Sequence, residues 1–151
     1  MADAPRRGRL WWLLLAATAG YAAFLAFVLF EPSNDVPSRS IAAISRRLAA
    51  EGLPRVVSDF AYVDFWCNIA IMLPFAGALV LLWPRVPWER WVVAEFAVAA
   101  GVEITQAVAL PHRVPAFSDV VANTTGVLLG AGAMTLVRLA VRPVTARGED
   151  G

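Results

Sequence analysis

An all-α polytopic membrane protein, a bundle of four transmembrane helices with a short outer amphipathic helix, is the fold class this sequence predicts. Three observations carry that expectation. The 151 residues are 59% hydrophobic, with a mean hydropathy of +0.62, whereas a soluble domain is roughly 45–50% apolar even when Gly is counted. Four apolar segments, 10–30, 65–83, 91–110 and 120–137, approach the length of about 20 residues that a bilayer-crossing helix needs. The last three carry polar pairs, Asp64/Asn68, Glu103/Gln106 and Asp119/Asn123, with Asp64 and Asp119 at the residue just before their apolar runs, at spacings that put each pair on one helix face.

The first segment follows Arg6, Arg7 and Arg9, as a signal peptide would. Its apolar run is longer than the roughly 7–15 residues of a signal core, and no small-residue cleavage site follows. An uncleaved signal anchor is expected. In the loop 31–60, Ser38 or Ser40 is suited to cap a short helix that Gly52 and Pro54 end. Ile41, Ile44 and Leu48 line one face of it, with Arg46, Arg47 and Glu51 elsewhere. Such a helix either rests on the outer membrane interface or packs on the bundle.

The second segment is interrupted only by Asn68 and Pro74, and the third carries Glu95, Glu103 and Gln106. The short connection 84–90 makes these two helices antiparallel neighbours. The loop 111–118 joins the third and fourth segments and is stiffened by Pro111 and Pro115. No internal repeat is present. The expected organisation is a cytoplasmic N-terminus (1–9), one membrane domain (10–141) and a disordered cytoplasmic tail (142–151).

Arginine bias sets the expected orientation. With the N-terminus inside, the inner side holds Arg6, Arg7, Arg9, Arg85, Arg90, Arg138, Arg142 and Arg147; the outer side holds the smaller set Arg39, Arg46, Arg47, Arg55 and Arg113. Both termini are then cytoplasmic, and Trp11, Trp12, Trp83, Trp88 and Trp91 form an inner aromatic belt. The net charge of +1 argues against nucleic acid as a partner. All 13 basic residues are Arg, which suggests a GC-rich bacterial genome. The single Cys67 cannot form an internal disulfide and reads as a buried structural thiol.

In this topology the three polar pairs share the outer half of the bundle. Asp64 and Asp119 open inward-running helices, with Asn68 and Asn123 one turn deeper. Gln106 and Glu103 lie near the outer end of the outward-running helix, and His112 and Arg113 lie in the loop above. Asp119, Asn123, Gly126 and Gly130 form one stripe, and small residues at that spacing let helices approach closely in lipid. For Glu95, near the interface, and for His112, plain structural roles are expected. Carboxylates at membrane depth are costly and generally functional. Asp64, Glu103 and Asp119 therefore point to a carboxyl suited to proton transfer, to a bound hard cation, or to a polar headgroup. A zinc site is not supported, and neither a metal nor a cofactor is assigned.

Asp64, then Asn68, then Leu73-Pro74-Phe75; Glu103-x-x-Gln106; Arg113; and Asp119-x-x-x-Asn123-x-x-Gly126 occur in this order. This ordered set resembles the VanZ-like family of small bacterial membrane proteins, over roughly residues 64–132. Two positions depart from the family pattern. Ala76, not Gly, stands two residues after Pro74, and Ala116 and Ser118 occupy a stretch where extra acidic residues are common. The resemblance implies a multi-pass protein of the bacterial plasma membrane. The family is named for low-level resistance to teicoplanin, a lipid-anchored glycopeptide.

Several activities fit these residues. One is a binding protein whose outer pocket of Asp64, Asn68, Glu103, Gln106, Arg113, Asp119 and Asn123 takes a lipid-linked or amphiphilic envelope molecule. Another is an enzyme acting on envelope lipid or glycan with Glu103 as general acid or base. No Ser/His or Cys/His arrangement supports covalent catalysis. A proton- or cation-coupled transporter would need oligomerisation, since four helices are few. The expected partners are the lipid bilayer, an envelope amphiphile and, as an open alternative, further copies of the chain.

Overall fold

The computed structural model describes residues 8–30, 35–109 and 116–141. Six helices follow in order: α1 (Arg9–Phe30), α2 (Asp35–Ala50), α3 (Arg55–Ser58), α4 (Phe60–Leu82), α5 (Trp88–Ala109) and α6 (Phe117–Ala140). No strand occurs among the described residues. The chain is thus an all-α polytopic bundle. Helices α1, α4, α5 and α6 are long and apolar enough to cross a membrane. Their outward faces expose Leu13, Phe24, Phe27, Phe96, Ile104, Val108 and Leu136, as a lipid-facing surface requires. The expected terminal segment 142–151 lies outside the described residues, as does most of the expected segment 1–9.

Helix α6 is the centre of the bundle. It packs along α4 on one side and along α5 on the other, while α4 and α5 touch little. The expectation that the second and third spans are direct neighbours is therefore corrected. Their short connection leaves them antiparallel, but α6 inserts between them. Glycines make this possible. A Cβ on Gly126 would sit 2.6 Å from the Met72 Cβ and 2.7 Å from the Ile69 carbonyl oxygen, and one on Gly130 would overlap the Leu73 carbonyl. The α4 and α6 backbones approach as closely as small-residue packing allows. Around this seam Met72, Ala76, Val80, Val127 and Ala131 form the core, joined by Leu25 of α1.

Helix α1 is held on α4 by two hydrogen bonds. Trp11 Nε1 donates to the Leu82 carbonyl at 3.3 Å, and the Tyr21 hydroxyl donates to the Ile71 carbonyl at 2.8 Å. Ile71 belongs to the turn preceding Pro74, which lies inside α4. A proline in a helix lacks its own N–H and crowds the turn before it, and carbonyls so loosened accept from side chains nearby. At the same end of the bundle, Arg138 of α6 donates to the Val80 carbonyl at 3.2 Å and the Pro84 carbonyl at 3.3 Å. The Val80 carbonyl lies in the last turn of α4, where carbonyls lack a partner within the helix, and Pro84 lies just beyond its end. Trp83 stacks near Trp91, with ring centroids 5.8 Å apart. The starts of α1 and α5 and the ends of α4 and α6 thus form a tryptophan-rich end. The starts of α4 and α6 form the opposite, carboxylate end.

Helix α2 begins at Asp35, before Ser38 and Ser40, so neither serine caps it. The earlier start is allowed because Pro37 falls in the first turn, where backbone N–H groups have no helical acceptor. Its end is as expected. Gly52, at φ 82°, donates its N–H to the Ala49 carbonyl, and the Leu53 N–H reaches the Leu48 carbonyl, a Schellman closure. The one-turn helix α3 follows, and Ser45 Oγ donates to the Ser58 carbonyl. Helix α2 packs against α3 and α4, the second of the two placements the sequence allows.

Candidate functional site

Three local devices set the carboxylate end. Asp59 caps α4 by accepting from the Ala61 N–H at 2.9 Å, which starts the helix before Asp64 and puts that residue within its second turn. Glu103 Oε2 accepts from the Ala116 N–H at 2.7 Å, and Ala116 is the N-cap residue of α6. Asp119 lies in the first turn of α6, where negative charge is favoured by the helix dipole.

A cavity of about 90 Å³ opens among these helix ends. Asp64, Asn68, Glu103, Gln106 and Asp119 all line it, with Ser38, Pro37 and Ile41 of α2, Phe60 and Val28. Gln106 is only 4% exposed, and Ser118 Oγ lies 3.4 Å from Asp119 Oδ1. Five of the residues singled out from sequence therefore share one space. Arg113, and His112 beside it, lie outside the described residues. Among the described residues, no three His, Cys, Asp or Glu side chains are arranged to hold a metal ion.

Asn123 departs from this grouping. With Asn68 it lines a second, deeper chamber of about 220 Å³, walled mainly by Ala22, Leu25, Ile71, Met72, Phe75, Val98 and Val102. Glu95 also faces this chamber. It lies two turns inside α5, which starts at Trp88, and not at the interface where a purely structural role was expected. The two spaces adjoin, with Val28 and Asn68 lining both. Cys67 is half-buried and faces a separate apolar groove with Ile44, Leu48 and Tyr62.

The contribution of α2 was not readable from the sequence, since nothing in 35–50 marks Ser38 as facing a space built from three distant segments. Its amphipathic pattern, with Ile41 buried, was the available signal.

The family model for VanZ/LLP1 matches residues 11–138, which include α4, α5, nearly all of α1 and α6, and every residue of both cavities. The chain belongs to the VanZ/LLP1 family. No curated protein and no solved structure matches it. As a VanZ/LLP1 protein it is a multi-pass membrane protein whose setting is a lipid bilayer. The match extends well N-terminal to the polar pairs, so α1, which walls the deeper chamber, and α2, which roofs the upper cavity, belong to the family's common region.

Proposed function

We propose that this VanZ/LLP1 protein is a non-catalytic binding protein of the bacterial plasma membrane. It holds the polar group of a lipid-linked or amphiphilic envelope molecule at the outer end of its bundle. The observation that carries this reading is the convergence of Asp64, Asn68, Glu103, Gln106 and Asp119 on one small cavity beneath α2. Residues from α4, α5 and α6 contribute oxygen and amide groups suited to hydroxyl or amine donors, and Arg113 would meet a phosphate or carboxylate. Both termini are cytoplasmic in this reading.

Glu103 has a structural task through Ala116, which favours positioning over proton transfer as its role. By family, the activity touches glycopeptide action, and teicoplanin susceptibility is the phenotype to measure. A sensitive Gram-positive host would express wild type, Glu103→Gln or Asp64→Asn, both at residues that line the cavity, at matched membrane levels. Protection from teicoplanin by wild type alone is the expected result. Equal protection by all three would reduce the polar residues to helix packing, and no protection by any would remove glycopeptides from the reading.

A further inference from the structure

The deeper chamber holds three polar side chains in an otherwise apolar wall: Asn68, Asn123 and Glu95. None of the three makes a hydrogen bond with a described residue. Asn123 is nevertheless only 7% exposed. Buried polar side chains nearly always have partners, and in a bilayer no bulk water supplies them. A carboxylate and two amides left open toward one space describe a site with its own ligand chemistry.

Their chemistry narrows the ligand. An ionised carboxylate only accepts hydrogen bonds, while each amide brings one acceptor oxygen and an NH2 that donates. The ligand must therefore present donors, and the rest of it must be apolar to match the alanines, Leu25, Phe75, Val98 and Val102. An ammonium group suits an ionised Glu95, since it donates and also neutralises the charge, whereas a hydroxyl, which both donates and accepts, leaves the charge uncompensated, and an anion would be repelled. At about 220 Å³ the chamber exceeds the roughly 150 Å³ of an engineered apolar cavity that takes up benzene. Ala26 and Val98 line it yet remain exposed, so it reaches the surface between α1 and α5, on the side open to the bilayer.

We propose that the chamber is a binding site for a membrane-soluble primary amine, an apolar body bearing an ammonium group. Glu95 supplies the counter-charge, and Asn68 and Asn123 supply the remaining polar contacts. Asn68 lines both spaces, whereas Glu95 and Asn123 line the chamber and not the upper cavity, so the charge contact of this site is tested apart from the upper cavity.

The test uses the full chain in neutral phosphatidylcholine nanodiscs and two photoreactive probes, a diazirine-bearing dodecylamine and the matching dodecanol. Labelled positions are mapped by mass spectrometry, and unlabelled dodecylamine competes. The expected result is that the amine labels Ile71, Phe75, Val98 or Val102 and the alcohol does not. In Glu95→Gln, the dodecylamine needed to compete should rise by roughly thirtyfold or more, the lower range for removing one partner of a buried charge pair. Equal chamber labelling by amine and alcohol would overturn the proposal, as would undiminished competition in Glu95→Gln. Should that variant fail to fold, the preference of wild type for amine over alcohol decides alone. A negative susceptibility result in the host leaves this labelling outcome standing.

Discussion

Glu103 Oε2 accepts the Ala116 N–H at 2.7 Å, so a carboxylate on α5 fixes the residue at which α6 begins. The bond ties the third span to the fourth at the carboxylate end, and it explains how a helix with Ala at its N-cap starts without a local side-chain cap. Hydrogen bonds to charged groups contribute about 1.5–3 kcal/mol. Glu103→Ala is expected to lower stability in detergent by an amount in this range. Glu103→Gln keeps an acceptor oxygen and loses less. Thermal melts of the purified variants against wild type provide the check, and equal losses for Ala and Gln would mean that the bond contributes little.

The α4–α6 seam makes a sharp contrast between two nearby glycines. A Cβ on Gly130 overlaps the Leu73 carbonyl, whereas one on Gly132 meets nothing within 4 Å. Backbone cannot yield as a flexible side chain does, and overpacking typically costs about 1–3 kcal/mol. Gly130→Ala is expected to destabilise by that order. Gly132→Ala is expected to be neutral or to gain a few tenths of a kcal/mol from helix propensity. Unfolding in mixed micelles compares the two directly, and the same loss at both positions would contradict the close approach.

Tyr21 fastens α1 to the proline-interrupted turn of α4 through its 2.8 Å bond to the Ile71 carbonyl. Interhelical hydrogen bonds in membranes average about 0.6 kcal/mol and reach about 1.7. Tyr21→Phe is expected to lose an amount in this range in thermal melts of the purified protein. Tyr62→Phe, at an exposed tyrosine, is the control and should leave the melt unchanged.

Orientation has a direct chemical test. In a Cys67→Ser background, single cysteines replace the exposed residues Ala50 or Arg85, which lie toward opposite ends of the bundle. A membrane-impermeant maleimide applied to intact cells should label Ala50→Cys and leave Arg85→Cys unmodified until the cells are opened. The reverse pattern would place the carboxylate end inside and withdraw the outer-side reading of the cavity.

Much of this molecule is legible in the sequence because helical periodicity and bilayer thickness are strong constraints. The spans are visible as apolar runs, and Asp119, Asn123, Gly126 and Gly130 read as one stripe because residues four apart share a face. The glycines of that stripe do pack against α4. The order of helices across the bundle was not legible. A short connection constrains only the ends it joins, and it cannot report that α6 comes between α4 and α5. The start of α2 was misplaced because Ser38 and Ser40 read as caps, whereas the helix begins at Asp35 and its first turn tolerates Pro37. The place of Glu95 was misjudged for a related reason. Trp88 and not Trp91 starts α5, so the side chain sits a turn deeper than its distance from the apolar run suggests.

Because the central helix of this bundle is also the last of its described spans, the order of synthesis matters. While α1, α4 and α5 are already in the bilayer, the groove that will receive Gly126 and Gly130 is open, and Glu103 has not met Ala116. Neither cavity has its α6 wall until that segment is inserted. A nascent chain halted before Phe117 therefore carries three inserted spans and most of its acidic residues but no formed site. Asp64, Asn68, Glu103 and Gln106 are then already present on α4 and α5, and the space they line closes only when α6 brings Asp119 to it.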